Sequence, residues 1–340
     1  MMPARILDRH VGGNTTYARS LAAGLNDAGI EVGRMAAHSH PLMTMMSENF
    51  QAINRGSKDE VLHYVADTGP LVSCSRPSVL TLHGVASRWI TTARNARQEA
   101  IWRGRVKRAV RSVDRVITVS ESSADDISAV FDIDRRDLTV IPHGIDVPMF
   151  SNKQEIDFNI SSKLPTDYAL YIGNIEPRKN LANLIRAFND PRLRSTGVPL
   201  VIAGKPAWNH RETMELISSS DNVIYLGFVT DQQRVALMQN CSLFVFPSLY
   251  EGFGFPVLEA LAAGAVVACS DRGSLCDVAG PSLILPGLDV DGLAESVELA
   301  LSDSLLREKC MRNGKIWASE FSWARSVAAH VAVYEGLTHV

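Results

Sequence analysis

The sequence has few cysteines, no long apolar run and no excess of charge of one sign. Its five cysteines are odd in number and show no metal-type spacing (Cys74, Cys241, Cys269, Cys276 and Cys310). We therefore expect reduced thiols instead of a disulfide framework or a zinc site. No stretch approaches the ~18 apolar residues that a membrane span needs, and no secretory core opens the chain. These absences predict a soluble, cytoplasmic protein.

The balance of charges and the composition exclude further classes. The net charge is −3, from 34 basic and 37 acidic residues, which argues against nucleic acid as the main partner. The 340 residues are 46% apolar and 21% charged, which is ordinary for a globular protein with a substantial core. Because a typical domain has about 100–200 residues, this length predicts two domains.

Short apolar strands alternate with amphipathic helical segments along the whole chain, which is typical of parallel α/β folds. The predicted strands lie at residues 4–7, 31–36, 61–65, 78–82, 115–119, 139–141, 169–172, 199–203, 223–225, 243–246 and 266–269. The predicted helices lie at residues 14–27, 98–110, 122–130, 181–189, 213–218, 231–238, 256–262, 290–301, 305–321 and 323–337. We expect two Rossmann-like domains, each a doubly wound parallel sheet, with a ligand cleft between their strand ends.

A polar, proline-containing and non-periodic stretch at residues 147–168 separates the two halves and is predicted to be a linker. The N-terminal domain then covers residues 1–147 and the C-terminal domain covers residues 165–322, followed by a final helix within 323–338. The first strand is very short, because Gly12 and Gly13 follow it almost at once. Either this strand is stunted, or the chain begins a few residues later than related chains.

Residues 246–268 carry the most informative pattern, Phe-Pro-Ser-Leu-Tyr-Glu-Gly-Phe-Gly-Phe-Pro-Val-Leu-Glu-Ala-Leu-Ala-Ala-Gly-Ala-Val-Val-Ala. An apolar strand ends here, Pro256 opens a short helix and Gly264 closes it. A helix start offers N–H groups and a positive dipole end to a phosphate. Glu251 and Glu259 bracket this turn, eight positions apart. Carboxylates beside a phosphate are placed to accept hydrogen bonds from the hydroxyls of a sugar or ribose.

Basic residues follow the first two strands of the second half. Arg178 and Lys179 lie in Glu-Pro-Arg-Lys-Asn, directly after the first of these strands. There they would project towards the cleft, where a forked guanidinium and a compact ammonium both suit phosphate oxygens. A solvated surface pair is the alternative. Lys205 ends the next strand at the same edge and is a weaker candidate.

The first half offers three weaker signals. Gly12 and Gly13 open the first helix and would let the backbone approach an anion closely, but the G-x-G-x-x-G spacing is absent and a tight turn explains them equally well. His83 ends a strand at the functional edge of its sheet, although many such histidines are only satisfied polar residues. The basic stretch 94–115 can rest on an anionic membrane face or grip a phosphorylated acceptor, or it is a solvated helix packed by its apolar side.

The chain resembles the retaining GT-B glycosyltransferases of family 4. The resemblance lies in four features that occur in this order: the glycine pair, the strand-end His83, Glu-Pro-Arg-Lys-Asn and Glu251-x7-Glu259. The resemblance covers essentially the whole chain and is strongest over residues 169–268. It implies an acceptor-side N-terminal domain, a C-terminal domain that binds a nucleotide sugar, and a final helix that crosses back to the first domain.

The resemblance also implies roles for individual residues. Glu251 would accept hydrogen bonds from the donor sugar and Glu259 from the ribose, while Arg178 and Lys179 neutralise the diphosphate and His83 lies beside the sugar. The remaining implied donor contacts are Gly12, Gly13, Lys205, Gly227, Phe228, Val229, Phe253, Gly254 and Phe255. No metal or other cofactor is implied, because cationic side chains and a helix start stabilise the charge.

The implied reaction moves a hexose from a nucleotide-diphosphate sugar to a hydroxyl of a saccharide or lipid-linked acceptor, with retention of configuration. Asn174 occupies the position at which many family members have arginine, so the resemblance assigns the role of that arginine to Arg178. This variant resembles bacterial transferases of polysaccharide assembly, several of which use GDP-mannose, and we favour that donor. The alternatives are a UDP-sugar-dependent transferase, a sugar-nucleotide 2-epimerase, a non-catalytic subunit that binds a sugar nucleotide, and a purely structural protein.

Overall fold

The computed structural model describes residues 1–9, 12–57, 59–91 and 94–338. The chain divides into two compact units. The first comprises Met1–Arg88, Arg94–Gly144 and Phe321–Val340, and the second comprises Trp89–Ala93 and Ile145–Glu320. Both units contain parallel sheets connected through helices, so the predicted α/β class is confirmed.

The strands of the first unit are short and parallel. They are β1 (Met2–Pro3), β2 (Arg34–Met35), β3 (Leu62–Tyr64), β4 (Ser78–Leu82), β5 (Arg115–Thr118) and β6 (Leu138–Val140). β3, β4, β5 and β6 form a sheet in that order, with Leu80 opposite Val116. β1 pairs with β2, and the Met1 carbonyl accepts a 2.9 Å hydrogen bond from the His63 N–H, which places β1 beside β3.

The helices of the first unit are α1 (Ala4–Leu7), α2 (Gly13–Asp27), α3 (Pro41–Ile53), α4 (Ala96–Val110), α5 (Glu121–Phe131) and α16 (Trp323–Thr338). α16 packs against α2 so closely that a Cβ on Gly24 would lie 2.5 Å from a Val327 methyl. Buried residues of both helices share one apolar core with Val79 and Ile117 of the sheet. The C-terminal helix is therefore an integral part of the first unit.

Three predicted features of the first half differ from the structure. Residues 4–7, predicted as a strand, form helix α1, because the short sequence Ala-Arg-Ile-Leu fits either element and the strand pairing is taken by Met2–Pro3. The strand predicted at 31–36 is only Arg34–Met35. Residues 41–53, for which no element was predicted, form α3.

The second unit is built on a parallel sheet in the order β12-β11-β10-β7-β8-β9. Its strands are β7 (Ala169–Ile172), β8 (Leu200–Ala203), β9 (Val223–Gly227), β10 (Leu243–Phe246), β11 (Val267–Cys269) and β12 (Leu283–Ile284). Every residue of the central strands β10, β7 and β8 is buried, as expected for parallel strands covered on both faces. The loops after β10, β7, β8 and β9 consequently lie along one edge of the sheet.

The helices of the second unit are α6 (Val147–Ser151), α7 (Phe158–Ser161), α8 (Leu181–Phe188), α9 (Pro191–Ser195), α10 (Arg211–Ser218), α11 (Asp231–Asn240), α12 (Phe255–Ala263), α13 (Leu275–Val278), α14 (Val290–Ser302) and α15 (Ser304–Ser319). The stretch 147–168, predicted as an irregular linker, contains α6 and α7. Asp146 and Asp157 cap these helices, and Phe150 and Ile160 are buried. The prediction failed locally because helices of four or five residues leave no detectable periodicity.

Two absences expected from the sequence can be compared with the described part of the chain. None of the helices there is both long and apolar enough to traverse a bilayer. The five cysteines are free thiols, of which Cys269 and Cys310 are buried.

Candidate active site

Two loops of the second unit are joined at the carboxyl edge of its sheet. The turn after β7 contains Arg178, whose backbone carbonyl accepts a 2.9 Å hydrogen bond from Leu249 N–H in the loop after β10. The Arg178 side chain donates to the Tyr250 carbonyl in the same loop at 2.8 Å. The Glu251 carbonyl in turn accepts from the Ser274 N–H and hydroxyl, each at 3.0 Å. The backbone of the Glu251 loop is therefore fixed from both sides.

The structure brings three predicted site residues into direct contact. Lys179 Nζ lies 2.5 Å from Glu251 Oε1, and Arg178 Nη1 lies 2.9 Å from Glu251 Oε2. Arg178 also donates to Glu176 Oε1 through Nε at 3.0 Å and Nη2 at 2.7 Å. Lys179, Glu251 and Glu176 are each 7% exposed. We call these four residues the charged cluster; it holds two cations and two carboxylates.

The pKa values in the charged cluster follow from burial and pairing. Burial raises the pKa of Glu251, but Lys179 and Arg178 outweigh it and bring the pKa to about 2. Burial lowers the pKa of Lys179, and its contact with Glu251 opposes that change. The Arg178 pKa is raised despite burial, because Glu251 and Glu176 stabilise its charge. At neutral pH Glu251 is thus an ionised acceptor of hydrogen bonds.

The two cations differ in the donors that they leave available. Arg178 uses Nε, Nη1 and Nη2 on two carboxylates and a carbonyl, four of the five N–H groups of a guanidinium. The Lys179 ammonium donates to Glu251 alone among the described residues, so two of its three N–H groups remain for a ligand. Its nitrogen also lies 4.9 Å from the centroid of the Phe246 ring. Arg178 is placed to hold the carboxylates, and Lys179 is placed to meet an anion.

The predicted helix start follows the Glu251 loop directly. α12 begins at Phe255, after Gly254 with φ +100, and ends before Gly264 with φ +83. A Cβ on Gly254 would lie 2.7 Å from a Leu275 methyl, so both the backbone angle and the space require glycine. The rings of Phe253 and Phe255 contact edge to face at 5.0 Å. The positive end of this nine-residue helix therefore begins at Phe255, in the same loop region as Glu251 of the charged cluster.

The loops after β8 and β9 extend the same edge. Gly204 N–H donates to the Gly227 carbonyl at 2.7 Å, and Lys205 Nζ lies 4.1 Å from the centroid of the Phe228 ring. Phe228 is 62% exposed, whereas the neighbouring Val229 is buried. An exposed aromatic ring beside a lysine can stack on a flat ligand group.

Arg234, which the sequence analysis did not select, holds Glu259. Its Nη1 donates to both Glu259 carboxylate oxygens, at 3.1 and 3.0 Å, from helix α11 to helix α12. Its guanidinium also lies 5.2 Å from the centroid of the Phe150 ring. Burial raises the pKa of Glu259, and Arg234 opposes that rise. No sequence signal pairs two residues 25 positions apart, so only the fold could identify Arg234.

The other predicted residues lie in the first unit. Gly13 is the first residue of α2, and Gly12 caps it with φ +128. His83 follows β4; its Nε2 contacts the Val65 carbonyl at 3.1 Å, and burial lowers the pKa of its imidazole. The ring of the buried His143, for which no binding role is predicted, lies 5.4 Å from that of His83 and 4.5 Å from that of Tyr17.

In the described ranges, no three His, Cys, Asp or Glu side chains are grouped so that they could hold a metal ion. The candidate active site consists of the charged cluster, the start of α12 and Glu259 with its partner Arg234.

Solved structures define the class to which this fold belongs. Sucrose-phosphate synthase from Thermosynechococcus elongatus superposes with a TM-score of 0.77 at 20% identity, over 96% of this chain and 94% of that one. Anabaena HepE, solved in complex with UDP-glucose, gives a TM-score of 0.75 at 16% identity over 100% and 99% of the chains. WaaG, a glycosyltransferase involved in lipopolysaccharide biosynthesis, gives 0.73 at 16% identity over 96% and 97%. The fold is GT-B, as predicted.

Family models identify the chain more closely. The model described as glycosyl transferases group 1 matches residues 152–317, and the model described as Glycosyltransferase Family 4 matches residues 60–148. The chain therefore contains a Glycosyltransferase Family 4 domain followed by a glycosyl transferases group 1 domain.

Several curated relatives carry mannosyltransferase names. O-antigen chain mannosyltransferase B of Escherichia coli is 35% identical over 49% of this chain and 45% of its own length. The serotype-specific mannosyltransferase WbdA of Escherichia coli is 31% identical over 67% of this chain and 29% of its own. The MMP alpha-(1->4)-mannosyltransferase of Mycolicibacterium hassiacum is 30% identical over 76% and 65%. The matched region spans less than half the length of the two Escherichia coli relatives.

Proposed function

We propose that this chain is a retaining glycosyltransferase that moves mannose from GDP-mannose to a hydroxyl of a saccharide or lipid-linked acceptor in glycan assembly. The observation that carries this proposal is the buried charged cluster at the carboxyl edge of the second sheet. There an ionised Glu251 lies against Lys179, one loop away from the start of α12.

In the proposed complex, the donor diphosphate lies between Lys179 and the start of α12, where an ammonium and a helix dipole both favour negative charge. Glu251 accepts hydrogen bonds from sugar hydroxyls through the lone pairs that its two cations leave open. Glu259, oriented by Arg234, accepts from the ribose. Phe228 and Lys205 border the base. Arg178 acts through the carboxylates that it holds, while His83 of the first unit remains proposed as a contact of the donor sugar.

The proposed reaction breaks the bond between the anomeric carbon and the diphosphate oxygen, whose electron pair leaves with the nucleoside diphosphate. The acceptor oxygen forms the new bond on the same face of the sugar, and its proton passes to the departing phosphate oxygen. Lys179 stabilises the charge that develops on the leaving group, which is the largest electrostatic demand of the step. The products are the nucleoside diphosphate and a glycoside of unchanged configuration.

The donor is proposed from the relatives. Three of them carry mannosyltransferase names, and two of these belong to O-antigen or serotype-specific assembly by name. A UDP-sugar is the second candidate, supported by the Anabaena HepE structure that contains UDP-glucose. Calorimetric titration with GDP-mannose and UDP-glucose separates them, because a donor that fits the base-binding loop should bind at least tenfold more tightly than the other.

The first test removes the Lys179 ammonium, which contacts the diphosphate in the proposed complex. Lys179→Ala should reduce GDP-mannose affinity and transfer by at least a hundredfold, since it removes a buried charge contact and leaves Glu251 less neutralised. Lys163→Ala, at an exposed lysine of the same unit, is the matched control and should keep wild-type rates. Wild-type donor binding by Lys179→Ala would refute the assigned site.

The second test examines the reaction itself. Incubation with donor and a panel of saccharide and lipid-linked acceptors, followed by NMR of the product, should give a glycoside with the donor's anomeric configuration. Conversion of the donor to its 2-epimer without acceptor would replace the proposal by an epimerase. Tight donor binding with neither transfer nor hydrolysis would indicate a non-catalytic subunit.

A further inference from the structure

Helix α3 of the first unit turns its apolar side chains outwards. Five of its residues, Leu42, Met43, Met46, Phe50 and Ile53, are between 51% and 62% exposed. The side that packs inwards instead carries polar or small residues, which are Thr44, Glu48 and Ala52. This is the reverse of an ordinary surface helix, whose apolar stripe faces the core.

The exposed side chains of α3 form one continuous stripe. Leu42, Met46, Phe50 and Ile53 follow each other at intervals of four, four and three residues, which places them on one face of a helix. Single exposed apolar residues are normal on a protein surface, but a contiguous patch of large ones marks an interaction site. The stripe carries no charge, because Glu48, the only ionisable residue of α3, is buried and paired with Arg5.

Helix α4 presents a complementary cationic stripe. Arg97, Arg105, Arg108 and Arg111 are exposed and lie on one face of the helix, around Ile101, which is 55% exposed. The ion pairs formed by Glu99 engage other arginines of this region. In the part of the chain that the structure describes, no carboxylate pairs with Arg97, Arg105 or Arg111, so their charges face solvent.

One short irregular segment, residues 71–75, contacts both helices. The Leu71 N–H donates to Asn49 Oδ1 of α3 at 2.7 Å, and the Leu71 carbonyl accepts from Arg108 Nε of α4, also at 2.7 Å. Further along the segment, the Ser75 N–H donates to the Ala52 carbonyl at the end of α3 at 2.8 Å. The apolar and cationic stripes therefore flank the same few residues within one compact unit.

We propose that the outer faces of α3 and α4 form one surface that binds an anionic lipid bilayer. The α3 stripe enters the boundary between headgroups and acyl chains, and the α4 arginines contact lipid phosphates. The presence of both stripes indicates a bilayer as the partner. A soluble polyanion would bind the arginines alone, whereas an anionic bilayer binds both large apolar side chains and cations. This surface does not depend on the proposed reaction, and its test measures binding alone.

The first measurement is cosedimentation of the full chain with vesicles. Wild type should bind vesicles of phosphatidylcholine and phosphatidylglycerol, and bind pure phosphatidylcholine at least tenfold more weakly. High salt should weaken the first interaction, because it screens the arginine contacts. Failure to bind the anionic vesicles at low salt would overturn the proposal.

Two sets of variants address the two stripes. Met46→Gln with Phe50→Gln should weaken binding at least tenfold. Arg97→Gln, Arg105→Gln and Arg111→Gln together should weaken it about a hundredfold, at about fivefold for each cation near the surface. All these side chains are exposed, so thermal unfolding should match wild type. Undiminished binding by either set would contradict the proposal.

A control and a direct probe complete the test. Phe158→Gln with Leu305→Gln removes two exposed apolar residues of the second unit and should leave vesicle binding unchanged. Phe50→Trp should add blue-shifted emission that brominated lipids quench, since the ring enters the acyl region. Unshifted, unquenched emission on bound vesicles, or stripe variants that only dissociate a homodimer in sedimentation, would assign α3 to another partner and overturn the proposal.

Discussion

Acidification should destabilise the first unit, because a buried hydrogen-bond chain there requires neutral histidines. His330 of α16 is fully buried; its Nδ1 lies 2.7 Å from the Ser326 carbonyl and its Nε2 lies 2.8 Å from the Tyr17 hydroxyl. A carbonyl can only accept, so Nδ1 carries the proton and Nε2 must accept from Tyr17. A second proton on His330 would make Nε2 a donor, so the Tyr17 hydroxyl would have to stop donating to it and accept instead.

The same direction continues through the core. The Tyr17 oxygen, which donates to His330, accepts from Thr81 Oγ1 at 2.9 Å, and Thr81 accepts from His63 Nε2 at 2.7 Å. His63 Nδ1 then accepts from the Tyr334 hydroxyl at 2.7 Å. Elements α2, β3, β4 and α16 thus share one chain in which both imidazoles are neutral. Protonation of either histidine adds a donor and a buried charge, and the neighbouring tyrosine hydroxyl must then reorient to accept.

The magnitude follows from the pKa of His330, which burial lowers from 6.5 to about 4, against a weaker opposing effect of the Ser326 carbonyl. A lowered histidine pKa means that the unfolded chain binds the proton first. The stabilisation is complete above pH 6.5 and is lost as the pH falls towards 4. At about pH 5 the loss from His330 alone is about 2 kcal/mol. Burial also lowers the pKa of His63, which adds a loss of the same sign.

This loss of stability is measured by urea unfolding at several pH values. Hydrogen exchange in peptides from each unit reports the unfolding of that unit. Wild type should lose at least about 2 kcal/mol in the first unit between about pH 7.5 and 5. His330→Gln should be less stable at pH 7.5 but lose about 2 kcal/mol less over the same interval. His38→Gln, at an exposed histidine of the same unit, should keep the wild-type dependence. An equal pH dependence in wild type and His330→Gln would refute the reasoning.

Three further outcomes are expected in the second unit. Arg234→Gln removes both hydrogen bonds to the buried Glu259, so GDP-mannose affinity measured by calorimetry should fall about tenfold or more. Unchanged affinity would show that Glu259 takes no part in donor binding. Gly204→Ala places a Cβ 1.8 Å from the Gly173 carbonyl oxygen and should destabilise the unit by more than about 2 kcal/mol in urea. Phe244→Ala, in a fully buried strand, should cost about 3–5 kcal/mol in the same assay, and a smaller cost would mean that the cavity collapses.

The central strands could be predicted to the residue because their physics is local. β7 and β10 are continuous apolar runs, β4 places Ser78 and Thr81 among apolar residues, and all three strands occur where expected. The end of α12 at Gly264 was also predictable, since a residue with φ +83 after a helix favours glycine. Such features need no knowledge of distant parts of the chain.

Helix α3 and the segment 4–7 escaped prediction for opposite reasons. Ala4, Ile6 and Leu7 are apolar and buried, but a segment of four residues is too short to distinguish a strand from a helix. α3 is long enough, but Leu42, Met46 and Phe50 face solvent, so its apolar residues do not mark a core-facing side. Reading its pattern requires the inner surface on which Thr44 and Ala52 pack, which only the fold supplies.

The sequence could predict which residues lie at the edge of the second sheet, because the order of the strands determines that placement. Neighbouring parallel strands place Arg178, Lys179 and Glu251 at one edge, and their side chains do meet there. Their mutual pairing was not predictable, because it depends on side-chain direction within two irregular loops. Arg234 was missed for the same reason: its partner Glu259 is set by the packing of α11 on α12.

The pairing changes how the site must work. Two cations and two carboxylates can be buried together only because each charge has a partner, since an isolated buried charge costs several kcal/mol. The charged cluster is therefore neutral as a whole and does not attract a diphosphate by net charge. The two cations differ in the donors that remain for a ligand. Arg178 donates to Glu176 and Glu251, whereas Lys179 donates only to Glu251 among the described residues and keeps two N–H groups. In the proposed complex, an arriving diphosphate would add to this arrangement without breaking its ion pairs, and Glu251 would stay ionised and accept from the hydroxyls of the sugar.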